Sequence, residues 1–543
     1  MGRTLLLGAV LLAFSLHGLA ADEPPTGVAC LLGWPGLAEH PSLFTDGSVL
    51  LRPGGPRLRE WLAAPGAWEW LSPQAGGLRF AWLKPGVRAV RVVGEAGGLE
   101  LTSVTGIAPY GRPTPSPWLF RTLVVTNRRP QRAAGRLGVV VGSGPAPLTL
   151  RRDRDLVEGD LIRLVTSRPP ASTKTVADTG ELILAYEYDL APKGSLDLVL
   201  CAPVGAVAYQ GPDWTELHQL TSARAEDALA SAWQAQVVPD TLTAGNELVN
   251  QAYHAAVAGL LLNPPPPEAP AASVAAWVGA IARCGQGPAA AALVERVIQR
   301  QTAQGSLAPD LADHAALTRA LAETVLFSDA PAQWAPILWP AISRAVVYLA
   351  GHPEASHSVT TVRAISRAAE VARLAGHSDS AAKWIRSSGE VPSVAWPALE
   401  SELKSQLLPG VRMNGDTEDV AKAEELVLAV ADSVAQGEEG RVLLFPGLPL
   451  SWRAEGLIVE LRQFPSGAGP LSLKLTSDRA GRKLTLASLV PPRDAAALLL
   501  NPPLGTQATA LHVNGKALKP EVLAQGPPWA IAPQAEKITL DLK

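Results

Sequence analysis

The feature that most constrains this chain is a double change of hydrophobic period. Residues 26–205 hold short apolar or alternating segments, such as Val87–Val93, Leu99–Val104, Leu119–Thr126 and Leu182–Tyr188, separated by Gly, Pro and Asn clusters. Near Trp214 the spacing becomes helical, and Ala-rich stretches continue to Gln436. From Arg441 the alternation returns. A period of two marks strands with one buried face; a period of 3.6 marks helices with one buried stripe. One chain that switches twice must build separate layers for each pattern. Its 543 residues give room for three or four domains at about 150 residues each.

The pattern predicts a multidomain α+β protein: an N-terminal antiparallel β-sandwich over 26–210, a helical block over 215–437 and a C-terminal β-sandwich over 441–543. Helices are expected at 215–237, 245–262, 273–284, 288–303, 310–327, 332–350, 358–375, 379–388, 394–407 and 417–435. Their ends carry helix punctuation: Pro264 to Pro267, Gly285, Gly305, Gly351 to Pro353, Gly376 and Gly437. Short links between so many helices make antiparallel hairpins, and no fixed 34- or 40-residue repeat is visible. Asn514-Gly515 supplies the positive φ of a type I′ hairpin turn.

Composition narrows the function. Lys and Arg number 47 against 50 Asp and Glu, without the basic excess of a nucleic-acid binder. Three cysteines, Cys30, Cys201 and Cys284, exclude a disulfide scaffold and a Cys-rich metal centre; no cofactor or metal is expected. Arg3, the apolar run Leu5–Leu16 and Gly18-Leu19-Ala20 read as an export signal cleaved after Ala20, so a secreted or periplasmic location is expected. No later run is long enough to span a membrane. No P-loop, HExxH, GxSxG or strand-linked GxGxxG is present. Arg121, Arg128, Arg129, Arg132 and Arg136 form a local basic stretch, expected to be a solvated hairpin surface.

Several motifs then point one way. Leu123-Val124-Val125-Thr126-Asn127 precedes a hairpin; Trp277 to Gly285 leads to Ala289–Gln301 and Gly305; Leu338-Trp339-Pro340-Ala341 opens a helix core; and Val442-Leu443-Leu444-Phe445-Pro446 runs to Trp452. In this order the chain resembles the six-hairpin glycosidase superfamily, the (α/α)₆-toroid glycoside hydrolases and phosphorylases related to glucoamylase. The resemblance implies that the helical block is an α/α-hairpin toroid, complete or incomplete, and that the partner is an oligo- or polysaccharide. It implies Glu354 as general acid and Asp416 or Glu418, with Asp419 beside them, as base. Two carboxyls on opposite sides of the bond, one protonated and one ionised, are what inverting hydrolysis needs.

The departures matter as much. Trp277 is followed by Val278-Gly279 where toroid glycosidases carry an Arg-Asp pair, and the Glu354 loop lacks a Trp. Helix capping explains Asp416 to Asp419 as well as catalysis does. Trp277, and Asp310, Asp313 and His314 on one face of a helix start, are the candidate sugar-binding residues; Glu323 falls on another face and is expected in solvent. Three readings follow. The first is a carbohydrate-binding, glycosidase-like protein with degenerate catalysis. The second is an active inverting hydrolase or phosphorylase. The third is a structural or interaction protein of the cell envelope.

Overall fold

The computed structural model describes residues 28–385 and 417–543, apart from short stretches at 35–36, 38–40, 53–55, 65–66, 70–76, 85–86, 112–114, 143–145, 177–178, 210–213, 237–240, 245–246, 267, 329, 353–357, 439–440, 449–457, 479–480, 493–494, 504–505 and 533–534. The described residues fall into two compact units, divided between Trp233 and Gln234.

The N-terminal unit is built on two antiparallel sheets of eight strands each. One is centred on Arg57–Ala64, Ala133–Val141 and Leu182–Leu190. The other runs Leu148–Arg151, Asp155–Glu158, Leu161–Thr166, Ser195–Pro203, Ser116–Asn127, Leu99–Tyr110, Ala89–Ala96 and Arg79–Trp82. Alternate residues of both sheets enter one core: Leu58, Leu62, Leu137, Val139 and Leu184 from the first, Leu101, Leu119, Leu123, Val125 and Leu198 from the second. Asn127 closes the hairpin that the sequence marks. Its Nδ2 donates to the carbonyls of Gln131 (2.7 Å), Leu190 (3.0 Å) and Ala191 (3.2 Å), and its Oδ1 accepts from the Arg129 N–H at 3.0 Å.

The arginine stretch is not one solvated patch. Arg121 has the same strand parity as Leu119 and Leu123, so it points into the core and is 2 % exposed. It donates to Glu60 of the other sheet, to Thr105 and to the Gly47 carbonyl. Arg128, Arg132 and Arg136 lie outside and pair across strands with Glu100, Asp189 and Glu187. Acidic neighbours on adjacent strands neutralise what the linear sequence presents as a basic run.

The expected first helix is two: α1 (Thr215–His218) and α2 (Ser222–Gln236). The helix α2 returns onto the second sheet, where the Trp233 indole donates to the Ile107 carbonyl at 3.1 Å. Leu229 meets Gly106, a position where an added Cβ would stand 3.0 Å from its side chain.

The C-terminal unit contains α3 (Glu247–Leu262), α4 (Ala271–Arg283), α5 (Gly287–Gln299), α6 (Leu311–Leu326), α7 (Pro331–Ala350), α8 (Val359–Leu374), α9 (Ser378–Ile385) and α10 (Thr417–Val434). They pack in two rows. In the first, α10 packs on α4, α4 on α6 and α6 on α8; in the second, α3, α5, α7 and α9 lie against this row. Short links make sequential helices antiparallel, so α4, α6 and α8 run the same way. Gly305, at φ +99°, turns the chain into α6; an added Cβ there would come 2.4 Å from the Arg344 carbonyl oxygen. The expected helix 394–407 lies outside the described residues.

The same unit carries a seven-stranded and a four-stranded sheet. The small sheet begins at Ala435–Glu438, directly after α10, and pairs Arg441–Leu444 in parallel with Ala497–Leu500. An edge of the larger sheet, Leu242–Thr243, comes from ahead of the helices and pairs with Leu461 and Glu460. Two-residue strands carry too little pattern to be read from sequence. Asn514 and Gly515 both take positive φ between the paired residues Val513 and Lys516, as the turn requires. Among the described residues no helix is long and apolar enough to cross a membrane; this says nothing of membrane β-barrels. The α11 helix (Pro520–Ala524) is a single exposed turn.

Candidate functional site

Three parallel helices present the same sequence register to a common centre. Residues at i, i+4, i+7 and i+11 fall on one helical face. On α4 these are Ala272, Ala276, Gly279 and Arg283; on α6 they are Ala312, Ala316, Arg319 and Glu323. On α8, Val359, Arg363 and Glu370 follow the same spacing, with Arg367 one turn before Glu370. Ala272, Ala312 and Val359 are exposed, Ala276, Ala316 and Arg363 half-buried, and Arg283, Glu323 and Glu370 buried. The face is thus exposed at the N-terminal ends of the helices, where α4 and α6 present alanines, and runs down to buried charges.

Glu323 organises these charges. Its carboxylate accepts from Arg319 Nε at 2.8 Å and from Arg283 at 3.3 Å, with Arg367 at 3.9 Å. Arg283 also pairs with Asp432 of α10, and Arg367 with Glu370 at 3.2 Å and the Gly437 carbonyl. The Arg283 guanidinium lies 4.3 Å from the centre of the Phe327 ring. Gly279 makes room for the carboxylate: a Cβ there would stand 3.3 Å from Oε2. Burial pushes the Glu323 carboxyl upward, and the guanidiniums of Arg319, Arg283 and Arg367 outweigh it, holding the group at about 2. Burial alone raises Glu424, on α10, to about 7. The expectation that Glu323 is solvated fails: it is 1 % exposed. An acid between Leu321, Ala322, Val325 and Leu326 is a charge in a core run, and it persists there because two other helices, α4 and α8, bring it Arg283 and Arg367, and its own helix brings Arg319.

The sequence-derived sugar residues lie elsewhere. His314 is 200° around α6 from Ala312, so it faces α7. Its Nδ1 accepts the Leu307 N–H at 2.9 Å and its Nε2 donates to the Ala345 carbonyl at 3.0 Å. Both ring nitrogens of the neutral tautomer are thereby used, and burial lowers its pKa. Asp310 caps α6, accepting from Ala312 and Asp313 N–H at 2.8 and 3.1 Å. Asp313 follows in the first turn, where the helix dipole favours an acid. The Trp277 indole is buried and donates to the Leu260 carbonyl of α3 at 2.8 Å. Glu354 and Asp416 lie outside the described residues. Glu418 and Asp419 are in the first turn of α10, with side chains outside the described set. Cys201 and Cys284 are buried free thiols.

His314 is expected to stay neutral to a lower pH than an ordinary histidine, because burial disfavours its charged form. An unfolded His gains its proton near pH 6.5, while the folded one resists. Its contribution is therefore complete above about pH 6.5 and drains as pH falls. His314→Ala leaves a buried N–H and a buried carbonyl without partners and is expected to cost about 2–4 kcal/mol. Ring-proton NMR titration and denaturant unfolding check the two statements.

No family model and no curated protein matches the chain. Solved structures do. A protein described as a kojibiose phosphorylase from the human microbiome aligns with a TM-score of 0.42 at 7 % identity, over 96 % of this chain and 91 % of its own. A bacterial glucoamylase solved with acarbose aligns with a TM-score of 0.38 at 8 % identity, over 67 % of this chain and 66 % of its own. A family GH92 α-mannosidase from Bacteroides thetaiotaomicron aligns with a TM-score of 0.25 at 10 % identity, over 66 % and 61 %.

Proposed function

We propose that this chain is an exported, glycosidase-like protein that binds carbohydrate and has lost hydrolysis. In this reading α4, α6, α8 and α10 form the inner ring of an α/α-toroid between two β-sandwiches. Sugar is held at the N-terminal ends of that ring. The observation that carries the reading is the shared face of α4, α6 and α8, exposed at one end and closed by an ion-paired floor. The acids in that floor serve arginines. A carboxyl held at about 2, as Glu323 is, has no proton to give a leaving group at neutral pH. Sugar-acting neighbours bring carbohydrate into the proposal as the ligand class.

The test is a glycan array combined with a hydrolysis and phosphorolysis screen on purified protein. Binding without turnover is the expected result. Turnover abolished by Glu354→Gln restores the active inverting reading, with Asp416 or Glu418 as base. Failure to bind any glycan removes carbohydrate altogether and leaves the envelope-protein reading. Export is tested separately: a mature N-terminus at Met1 refutes cleavage after Ala20.

A further inference from the structure

We infer that a cavity at the C-terminal end of α8 binds a free apolar α-amino acid as its zwitterion. The site lies at the other end of α8 from the exposed Val359 and stands apart from the carbohydrate reading above. The cavity has a volume of about 210 Å³. It opens between the end of α6, the start of α7, the last turns of α8 and the turn joining the strands Ile458–Pro465 and Pro470–Ser477. An apolar cavity of about 150 Å³ already admits benzene, whereas drug-sized ligands take about 300 Å³ or more. The space therefore suits a molecule of amino-acid size. Its wall is held in place. Ser466 Oγ donates to the Gly469 carbonyl at 2.7 Å across the turn, and a Cβ added at Gly467 would stand 3.1 Å from the Phe327 ring. A wall fixed before the ligand arrives lowers the ordering cost of binding.

Two charged residues line the cavity, Glu370 and Arg373. Glu370 is buried and ion-paired with Arg367 at 3.2 Å, so the wall holds an anion. Arg373 comes three residues later, which puts both on one face of α8, with Cβ atoms about 5–6 Å apart. Arg373 is exposed, and among the described residues its side chain makes no ion pair or hydrogen bond. An α-amino acid carries its ammonium and its carboxylate on one carbon, a spacing that matches these neighbouring poles. Its carboxylate meets the paired N–H donors of the Arg373 guanidinium, and its ammonium faces Glu370. Leu326, Pro331 and Leu374 form the apolar wall that takes the side chain. A simple carboxylate would bring a second anion beside Glu370, and a simple amine would leave Arg373 unmatched. Each charge of the zwitterion is desolvated against one of opposite sign, the condition under which burying it is tolerable.

Calorimetry on the full chain tests this, with leucine and phenylalanine as probes. Isopentylamine and phenethylamine, which lack the carboxylate, and isocaproate and hydrocinnamate, which lack the ammonium, form separate arms. At least one of the two amino acids is expected to bind, and loss of either charge to weaken binding about tenfold or more. Arg373→Gln is expected to weaken amino-acid binding by a similar factor while leaving the affinity of the matching amine unchanged, a split that a damaged fold would not produce. Ala468→Trp keeps every charge and is expected to abolish binding by filling the cavity. Binding that survives Ala468→Trp overturns the inference. So does an amine or an acid that binds as tightly as its parent amino acid, and so does the native chain binding neither leucine nor phenylalanine. These last comparisons use the unaltered chain and decide the matter even where a variant does not fold. None of these results bears on carbohydrate binding, which the glycan screen judges separately.

Discussion

Glu323→Gln is expected to destabilise the C-terminal unit by about 3–5 kcal/mol, the cost of breaking a buried ion pair by removing one partner. The amide keeps the size of the carboxylate but removes the charge against which Arg283 is buried. Asp432 remains as one partner of Arg283; Arg319, at 22 % side-chain exposure, turns to solvent. Arg319→Gln should accordingly cost only about 1 kcal/mol. The same carboxylate sets a pH dependence. Its folded pKa, about 2, lies below the ordinary 4.5. The stability it contributes is complete above about pH 4.5 and is lost progressively as pH falls towards 2, about 3 kcal/mol in all. Denaturant midpoints measured between pH 2 and 6 check this. The wild type should lose stability more steeply than Glu323→Gln; parallel curves would show that Glu323 is not held as an anion.

Glu424→Gln should have the opposite sign. Glu424 is 7 % exposed in α10, and burial raises its carboxyl to about 7. Unfolded, it ionises near the ordinary value. From about pH 4.5 up to 7, the unfolded chain releases a proton that the folded chain keeps, so stability falls as pH rises through that window. Above it, the folded state carries a buried charge. The amide variant removes this cost: a gain of about 2–3 kcal/mol is expected at pH 8 and almost none at pH 4. Thermal unfolding at the two pH values distinguishes the cases. A gain that does not change with pH would mean that Glu424 ionises normally in the folded chain.

Period alone located the helices, because a 3.6-residue stripe survives whatever packs against it. Breaks at Gly285, Gly305 and Gly376 were legible for the same reason: each residue takes a positive φ, Gly285 and Gly376 just past a helix end and Gly305 in the link between α5 and α6, a conformation that disfavours most side chains. The candidate site was less legible. Asp310, Asp313 and His314 are polar residues at a helix start, the usual place to look for chemistry. Their offset around α6 turns His314 to α7 and leaves Asp310 as a cap. Trp277 is a large aromatic whose indole N–H needed an acceptor, and Leu260 supplied it. The residues that do converge look unremarkable in linear order: Ala276 and Ala316 are two alanines among many. Arg283, Glu323 and Arg367 are single charges separated by some 40 residues each. One signal was available: Arg283 and Glu323 interrupt apolar runs, and a charge at core spacing requires a partner of opposite sign.

What the sequence by itself determined is local: strand, helix, strand in that order, the turn at Asn514-Gly515, and the glycine stops. These depend on backbone geometry and on side chains within a turn or two of one another. Only the tertiary structure decided which face of each helix meets which neighbour. In Ala-rich helices almost every face is apolar enough to pack, so the choice fell to contacts between residues far apart in sequence. Arg121 against Glu60, and Arg283 against Glu323 and Asp432, are such contacts. Each charge can be buried only where folding brings its partner, and no local pattern states where that is.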